Sequence, residues 1–219
     1  MLLILIPGRY NSYCFNAALF ISSLTFILSL IMWLIFDSGH NSFQFLCTID
    51  WLPAFNFYYT VGVDGISLFF LILTTFLIMV CVLISWGSIN YRLKEYLINF
   101  LLLEFLLIQV FSVLDLLLFY VFFESILMPM FLIIGIWGSR ERKIRAAYQF
   151  FLYTLVGSVL MLLGILIIYS HGGTTDLQML WNLEFSEKKQ IFLWVSFFLS
   201  FAVKIPMMPF HIWLPEAHA

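Results

Sequence analysis

Charge is what this sequence has least of. Only 10% of its 219 residues are Asp, Glu, Lys or Arg, against roughly 25% in soluble domains. Hydrophobic residues make up 63%, where roughly 45–50% is usual. A water-soluble fold of this size could not hide so much apolar surface, so its solvent is lipid. Cysteine is also scarce: Cys14, Cys47 and Cys81 stand more than thirty residues apart and form no CxxC pair. None of His40, His171, His211 and His218 has another histidine four residues away. These absences argue against a metal, haem or iron–sulfur site built by this chain alone. No GxGxxG or Walker loop occurs, which puts nucleotide chemistry elsewhere. A net charge of −2 gives no sign of nucleic-acid binding. The N-terminus has neither an Arg-rich presequence nor a signal-cleavage pattern, so the expectation is membrane insertion without cleavage.

Long apolar runs are abundant. Stretches near the roughly 20 residues that cross a bilayer lie at about 15–36, 66–86, 97–114, 116–137, 148–169 and 190–209. The run "MLLILI" before Pro7 is too short to span and reads as an abbreviated first helix. Residues 42–60 bunch aromatics around Pro53 and read as an interfacial hairpin or loop. The expected fold is an all-α polytopic membrane bundle. It has about six full transmembrane helices plus the short N-terminal one, and the last helix is broken at Pro206 and Pro209.

Charge placement supports this threading. Alternating spans put Arg9, Arg92, Lys94, Arg140, Arg142, Lys143 and Arg145 on one side. The other side receives Asp37, Asp50, Asp64, Asp115, Asp176, Glu184 and Glu187, with Lys188 and Lys189 as its bases. That split is the positive-inside pattern, with the basic side cytoplasmic in a bacterium or matrix-facing in a mitochondrion.

Three charges remain inside apolar spans: Glu104, Glu124 and Lys204. Each costs several kcal/mol at bilayer depth, so each must face protein or water and have a partner. Glu104 and Glu124 sit on consecutive antiparallel spans, roughly 12 and 20 Å from the basic side at 1.5 Å per residue. Pro129 follows Glu124 by five residues and removes the amide that the carbonyl of Ser125 would have used. Lys204 falls near mid-membrane beside Pro206 and Pro209, which cannot donate to the carbonyls of Ala202 and Ile205. A discontinuous helix at that depth is tolerated where the opened backbone lines a cavity or is buried in protein. Downstream, His211, Glu216 and His218 add titratable groups towards the basic face, and Pro215 argues against one continuous helix through them. Plainer readings exist. A buried Glu can be a structural hydrogen-bond anchor, "HIWLPEAH" can be a wet interfacial turn, and "SRERKIR" is most simply a topology anchor. Gly157 and Gly164, seven apart, read as a close-packing face.

Three segments carry a resemblance: "GVDGISLFFLILTTF", "FYVFFESILMPMFLIIGIWGSRERKIRAAYQFFLYTLVGS" and "FAVKIPMMPFHIWLPEAHA". They closely resemble the antiporter-like membrane subunits of NADH–ubiquinone oxidoreductase, respiratory complex I, of the mitochondrial subunit 4 type. The resemblance implies fourteen transmembrane helices in a full member, with two inverted five-helix repeats. It implies that residues 1–64 form N-terminal helices with the interfacial hairpin or loop. Residues 65–219 would be an incomplete first repeat, helices 3–7 of the family, with the second repeat absent.

It further implies that Glu124, in "FFES", and Lys204, in "VKIP", form a Glu–Lys pair coupling redox-driven rearrangement to proton movement. Glu104 would be the fourth-helix acid linking laterally, and His211, Glu216 and His218 would continue the path. NADH, FMN, iron–sulfur clusters and ubiquinone are expected in other subunits and no cofactor in this chain. The expected setting is the mitochondrial inner membrane, with the basic loops in the matrix. Expected partners are the other membrane-arm subunits, lipid and a separately made C-terminal fragment; a truncated sequence is the other account of the missing half. The alternatives are a structural fragment without its own channel and a free-standing cation/proton antiporter component.

Overall fold

The computed structural model describes residues 11–40, 42–52, 56–89, 91–138 and 141–218. The short "MLLILI" run, Arg9, Pro53 and Arg140 lie outside the described residues, as do the side chains of Glu216 and His218. Helix α1 (Asn11–Ile35) is followed by a two-stranded hairpin, β1 (Gln44–Leu52) and β2 (Phe57–Val63). Helices α2 (Gly65–Ile84), α3 (Leu93–Ser112), α4 (Leu116–Ser125), α5 (Leu127–Trp137) and α6 (Lys143–Gly172) come next. A single turn α7 (Leu177–Leu180), helix α8 (Glu187–Lys204), a 3-10 turn (Phe210–Ile212) and the short α9 (Trp213–His218) complete the described chain.

Five helical stretches, Asn11–Ile35, Gly65–Ile84, Leu93–Ser112, Leu116–Trp137 and Lys143–Gly172, are long and apolar enough to cross a membrane. The sixth expected span is shorter in the structure. α8 has 18 residues, four of them charged (Glu187, Lys188, Lys189 and Lys204), and it stops before Pro206. Large apolar side chains face outward, with Leu34 82% and Val156 67% exposed, as a lipid solvent allows and water does not.

The chain forms two compact units. The first comprises residues 1–46 and 62–112, with α1, α2 and α3 mutually packed. Its second helix starts at a capping box: the Asp64 carboxylate accepts the Ser67 N–H at 2.7 Å, and the Ser67 hydroxyl accepts the Asp64 N–H. Reciprocal satisfaction of two orphan amides fixes where the helix begins. Val63, Leu68 and Leu71 form the core there with Met32, Phe36, Ile108 and Phe111.

The second unit comprises residues 47–61 and 113–219. At one end, the Leu114 N–H donates to the Thr60 carbonyl and the Leu177 N–H to that of Leu114. Asp115, only 2% exposed, caps α4 by accepting the Leu117 and Leu118 N–H groups, and also accepts the Thr175 hydroxyl. The residues gathered here include Asp115 and Asp176, while Arg142, Lys143 and Arg145 lie at the far ends of α5 and α6. Within this unit the alternation of acidic and basic ends expected from the threading holds. Lys143 does more than mark a side: its ammonium donates to the Ile136 carbonyl at 2.7 Å, closing the C-terminal end of α5.

Helix α8 lies on α6 through the two glycines. A Cβ on Gly157 would meet Val203 at 3.0 Å, and one on Gly164 would meet the Ser196 hydroxyl at 2.8 Å. Absence of side chains there lets the helices approach closely. The stretch Leu116–Trp137 is interrupted at Ile126, three residues before Pro129, where the proline has no N–H to continue the ladder.

Candidate functional site

The site is built around the end of α8. Ile205 still donates its N–H to Phe201 at 2.7 Å, but Pro206 has none to offer Ala202. The Met207 N–H reaches the Ala202 carbonyl instead, at 2.9 Å. The Val203 carbonyl is taken at 2.8 Å by the indole N–H of Trp213. Trp213 is buried against Phe150 and Leu127, so α9 folds back under the broken end. Pro215 is accommodated because it falls in the first turn of α9, where its missing N–H has no helical partner to lose. The break is thus closed by protein at the Ala202 and Val203 carbonyls, each of which finds a donor within the chain.

Lys204 is the last residue of α8 and is partly buried. Its ammonium donates to the Phe123 carbonyl at 3.0 Å and lies 3.9 Å from the centre of the Phe123 ring. Phe123 stands in the final turn of α4, just ahead of the interruption at Ile126. Glu124 follows it. One Glu124 carboxylate oxygen, Oε1, is buried without a hydrogen-bond partner, and Ser158 on α6 stands near the carboxylate with its own hydroxyl donated to the Leu155 carbonyl. Tyr120, one turn earlier, is also near Ser158. Lys204 and Glu124 are near enough to interact electrostatically. They do not touch: among the described residues the ion pairs within 4.0 Å are His40–Asp37 and Arg92–Glu95. The structure therefore brings Glu124 and Lys204 to one place, with a carbonyl and a ring holding the amine.

Glu104 belongs to the first unit. It is 3% exposed and accepts a short hydrogen bond from the Thr25 hydroxyl of α1. His211 sits in the 3-10 turn with its Nδ1 buried and unpartnered. Glu216 and His218 are on α9, whose side chains there are not described. Thr25, Tyr120, Ser158 and the Phe123 carbonyl escape sequence reasoning. Hydroxyls in apolar helices usually bond their own backbone and carry little signal. The spacing of Tyr120 four residues before Glu124, on the same helical face, is the one available hint.

Comparison with known proteins places this arrangement. Residues 113–219 match the family of transmembrane NADH:quinone oxidoreductase/Mrp antiporter proteins. A chain in the structure of respiratory complex I from Thermus thermophilus with bound NADH superposes with a TM-score of 0.83 at 29% identity, over 99% of this chain and 46% of that one. The Mrp complex from a Dietzia species contains the same fold, with a TM-score of 0.83 at 17% identity over 96% of this chain and 23% of that one. Over residues 113–219 the chain is thus similar to this antiporter-like family. Within it, the likeness is to NADH-ubiquinone oxidoreductase chain 4: 68% identity to that of Chondrus crispus and 59% to that of Arabidopsis thaliana, each over 100% of this chain. The chain spans about half the length of these relatives, 44% in both.

Proposed function

We propose that this chain is a membrane-arm subunit of a proton-translocating NADH:ubiquinone oxidoreductase, carrying protons through Glu124 and Lys204. Glu104 links the route laterally, and His211, Glu216 and His218 continue it. One observation carries the reading. The Lys204 ammonium, at the broken end of a helix, is held by neutral groups, while the neighbouring Glu124 keeps a buried oxygen without a partner. An amine held by a carbonyl and a ring can give up its proton without breaking a contact ion pair. A carboxylate with a vacant buried acceptor can take one. The two groups then exchange between a charged and a neutral arrangement, which avoids leaving a single uncompensated charge at bilayer depth.

The similarity to chain 4 supports a multi-pass location in the mitochondrial inner membrane. The basic residues Arg92, Lys94, Arg142, Lys143 and Arg145 would then face the matrix. Partners are the other membrane-arm subunits and lipid. NADH, FMN, iron–sulfur clusters and ubiquinone are handled by other subunits, and none by this chain. The test is Lys204→Met in the assembled complex. The variant should oxidise NADH yet move fewer protons per electron pair in reconstituted vesicles; an unchanged stoichiometry overturns the proposal.

A structural role without a channel is the second reading, favoured by the hold of the Phe123 carbonyl and ring on Lys204. In that case Lys204→Met lowers assembly, and the complex that does assemble pumps normally. A third, a free-standing cation/proton antiporter component, rests on the fold shared with the Mrp complex. Co-purification with flavin and iron–sulfur subunits separates it from the first.

A further inference from the structure

The buried Glu104 carboxylate meets a helical hydroxyl that has a second acceptor on its own helix. Thr25 Oγ1 is within hydrogen-bonding distance of Glu104 Oε1 and lies 2.9 Å from the carbonyl of Ser22, three residues back. A hydroxyl has one proton and two lone pairs, so it donates to one of these acceptors at a time and can accept from a third group. Ser22 and Ser29 show the ordinary pattern, each donating to a carbonyl three residues earlier with no carboxylate in contact.

The surroundings make the arrangement at Glu104 unusual. Helices α1 and α2, which pack against α3, contain no charged residue between Asn11 and Ile35 or between Gly65 and Ile84. Their titratable side chains are Tyr13, Cys14 and Cys81, and α3 itself has Lys94, Glu95 and Tyr96 a little over two turns away. At Glu124 the facing groups are Lys204 and Tyr120. Among the described residues, Glu104 therefore has a hydroxyl, and no counter-charge, as its contact.

Resting on the reading that these acids exchange protons, we infer that Thr25 is a positioning residue for Glu104, acting as a hydroxyl rotor. With the carboxylate ionised, the hydroxyl donates to it. When a proton arrives on the carboxylate oxygen, the hydroxyl turns its own proton to the carbonyl three residues back and accepts from the new acid O–H. Neither state strands a buried polar group at that contact, which would otherwise oppose each change of protonation.

The test is infrared difference spectroscopy of the assembled complex between low and high pH, with the Glu104 band assigned by its loss in Glu104→Gln. Thr25→Val replaces the hydroxyl with a methyl at nearly constant volume and should move the Glu104 acid C=O band to higher wavenumber. Thr25→Ser should leave the band at its wild-type position. A band unmoved in Thr25→Val, or moved equally in Thr25→Ser, overturns the rotor. So does the absence of any Glu104 band, since an acid that never changes protonation needs none. If Thr25→Val does not assemble, Thr25→Ala removes the same hydroxyl with less bulk and makes the same comparison against Thr25→Ser. Pumping by Lys204→Met is a separate readout: a moved band with unchanged pumping defeats the translocation reading alone, and the reverse defeats the rotor alone.

Discussion

Asp115 shows how much one residue can hold. Its two carboxylate oxygens accept the Leu117 and Leu118 N–H groups at 2.9 and 3.0 Å, and the hydroxyl of the buried Thr175. It therefore starts α4 and ties that start to the turn after α6. Asp115→Ala removes a helix cap and strands the Thr175 hydroxyl, a loss of about 2–4 kcal/mol. Asp115→Asn, which keeps an acceptor for the cap, should lose less. The check is the thermal midpoint of the purified assembly, which should fall in the order Ala below Asn below wild type. At this scale the sequence was readable where a charge had no business being in lipid, and so Glu104, Glu124 and Lys204 stood out. Asp115 read only as one more acid on the acidic side, because a cap looks like a loop residue until its helix is placed. Thr25 and Ser158 were silent, since a hydroxyl costs little in a helix that can satisfy it.

The elements were legible where apolar length and proline speak together. The spans at 66–86, 116–137 and 148–169 correspond to α2, to α4 with α5, and to α6, and the glycine pair on α6 proved to be a packing face. The last span was expected to break at Pro206, and the helix ends at Lys204 just before it, although apolarity continues beyond. What could not be read was how the opened end is closed, since Trp213 finds the Val203 carbonyl across ten residues of chain. The helix contact makes its own prediction. Gly157→Ala puts a Cβ 3.0 Å from that of Val203, a β-branched side chain with little freedom to turn away. Such overpacking costs about 1–3 kcal/mol and displaces the residue that precedes Lys204. The thermal midpoint should drop, and proton pumping should fall with it. Gly157→Ala with wild-type stability would mean that the helices do not meet as closely as described.

At the scale of the molecule, most of the surface is apolar and most charge is confined to the ends of helices. The exceptions inside the spans have graded company: a hydroxyl for Glu104, a vacant acceptor for Glu124, and a carbonyl with a ring for Lys204. The membrane class followed from composition alone, and the family from long motifs around two of these three charges. That Glu124 and Lys204 would share a site without touching was not legible, because distance between helices is set by packing and not by spacing along the chain. Their separation is also what makes a proton exchange between them testable. Groups that act as one unit show strongly non-additive losses. The decisive measurement is the number of protons moved per electron pair in vesicles containing wild type, Glu124→Gln, Lys204→Met and the double variant. A working pair predicts that each single substitution lowers the ratio and that the double lowers it no further. An unchanged ratio in the single variants, or losses that add in the double, would contradict it.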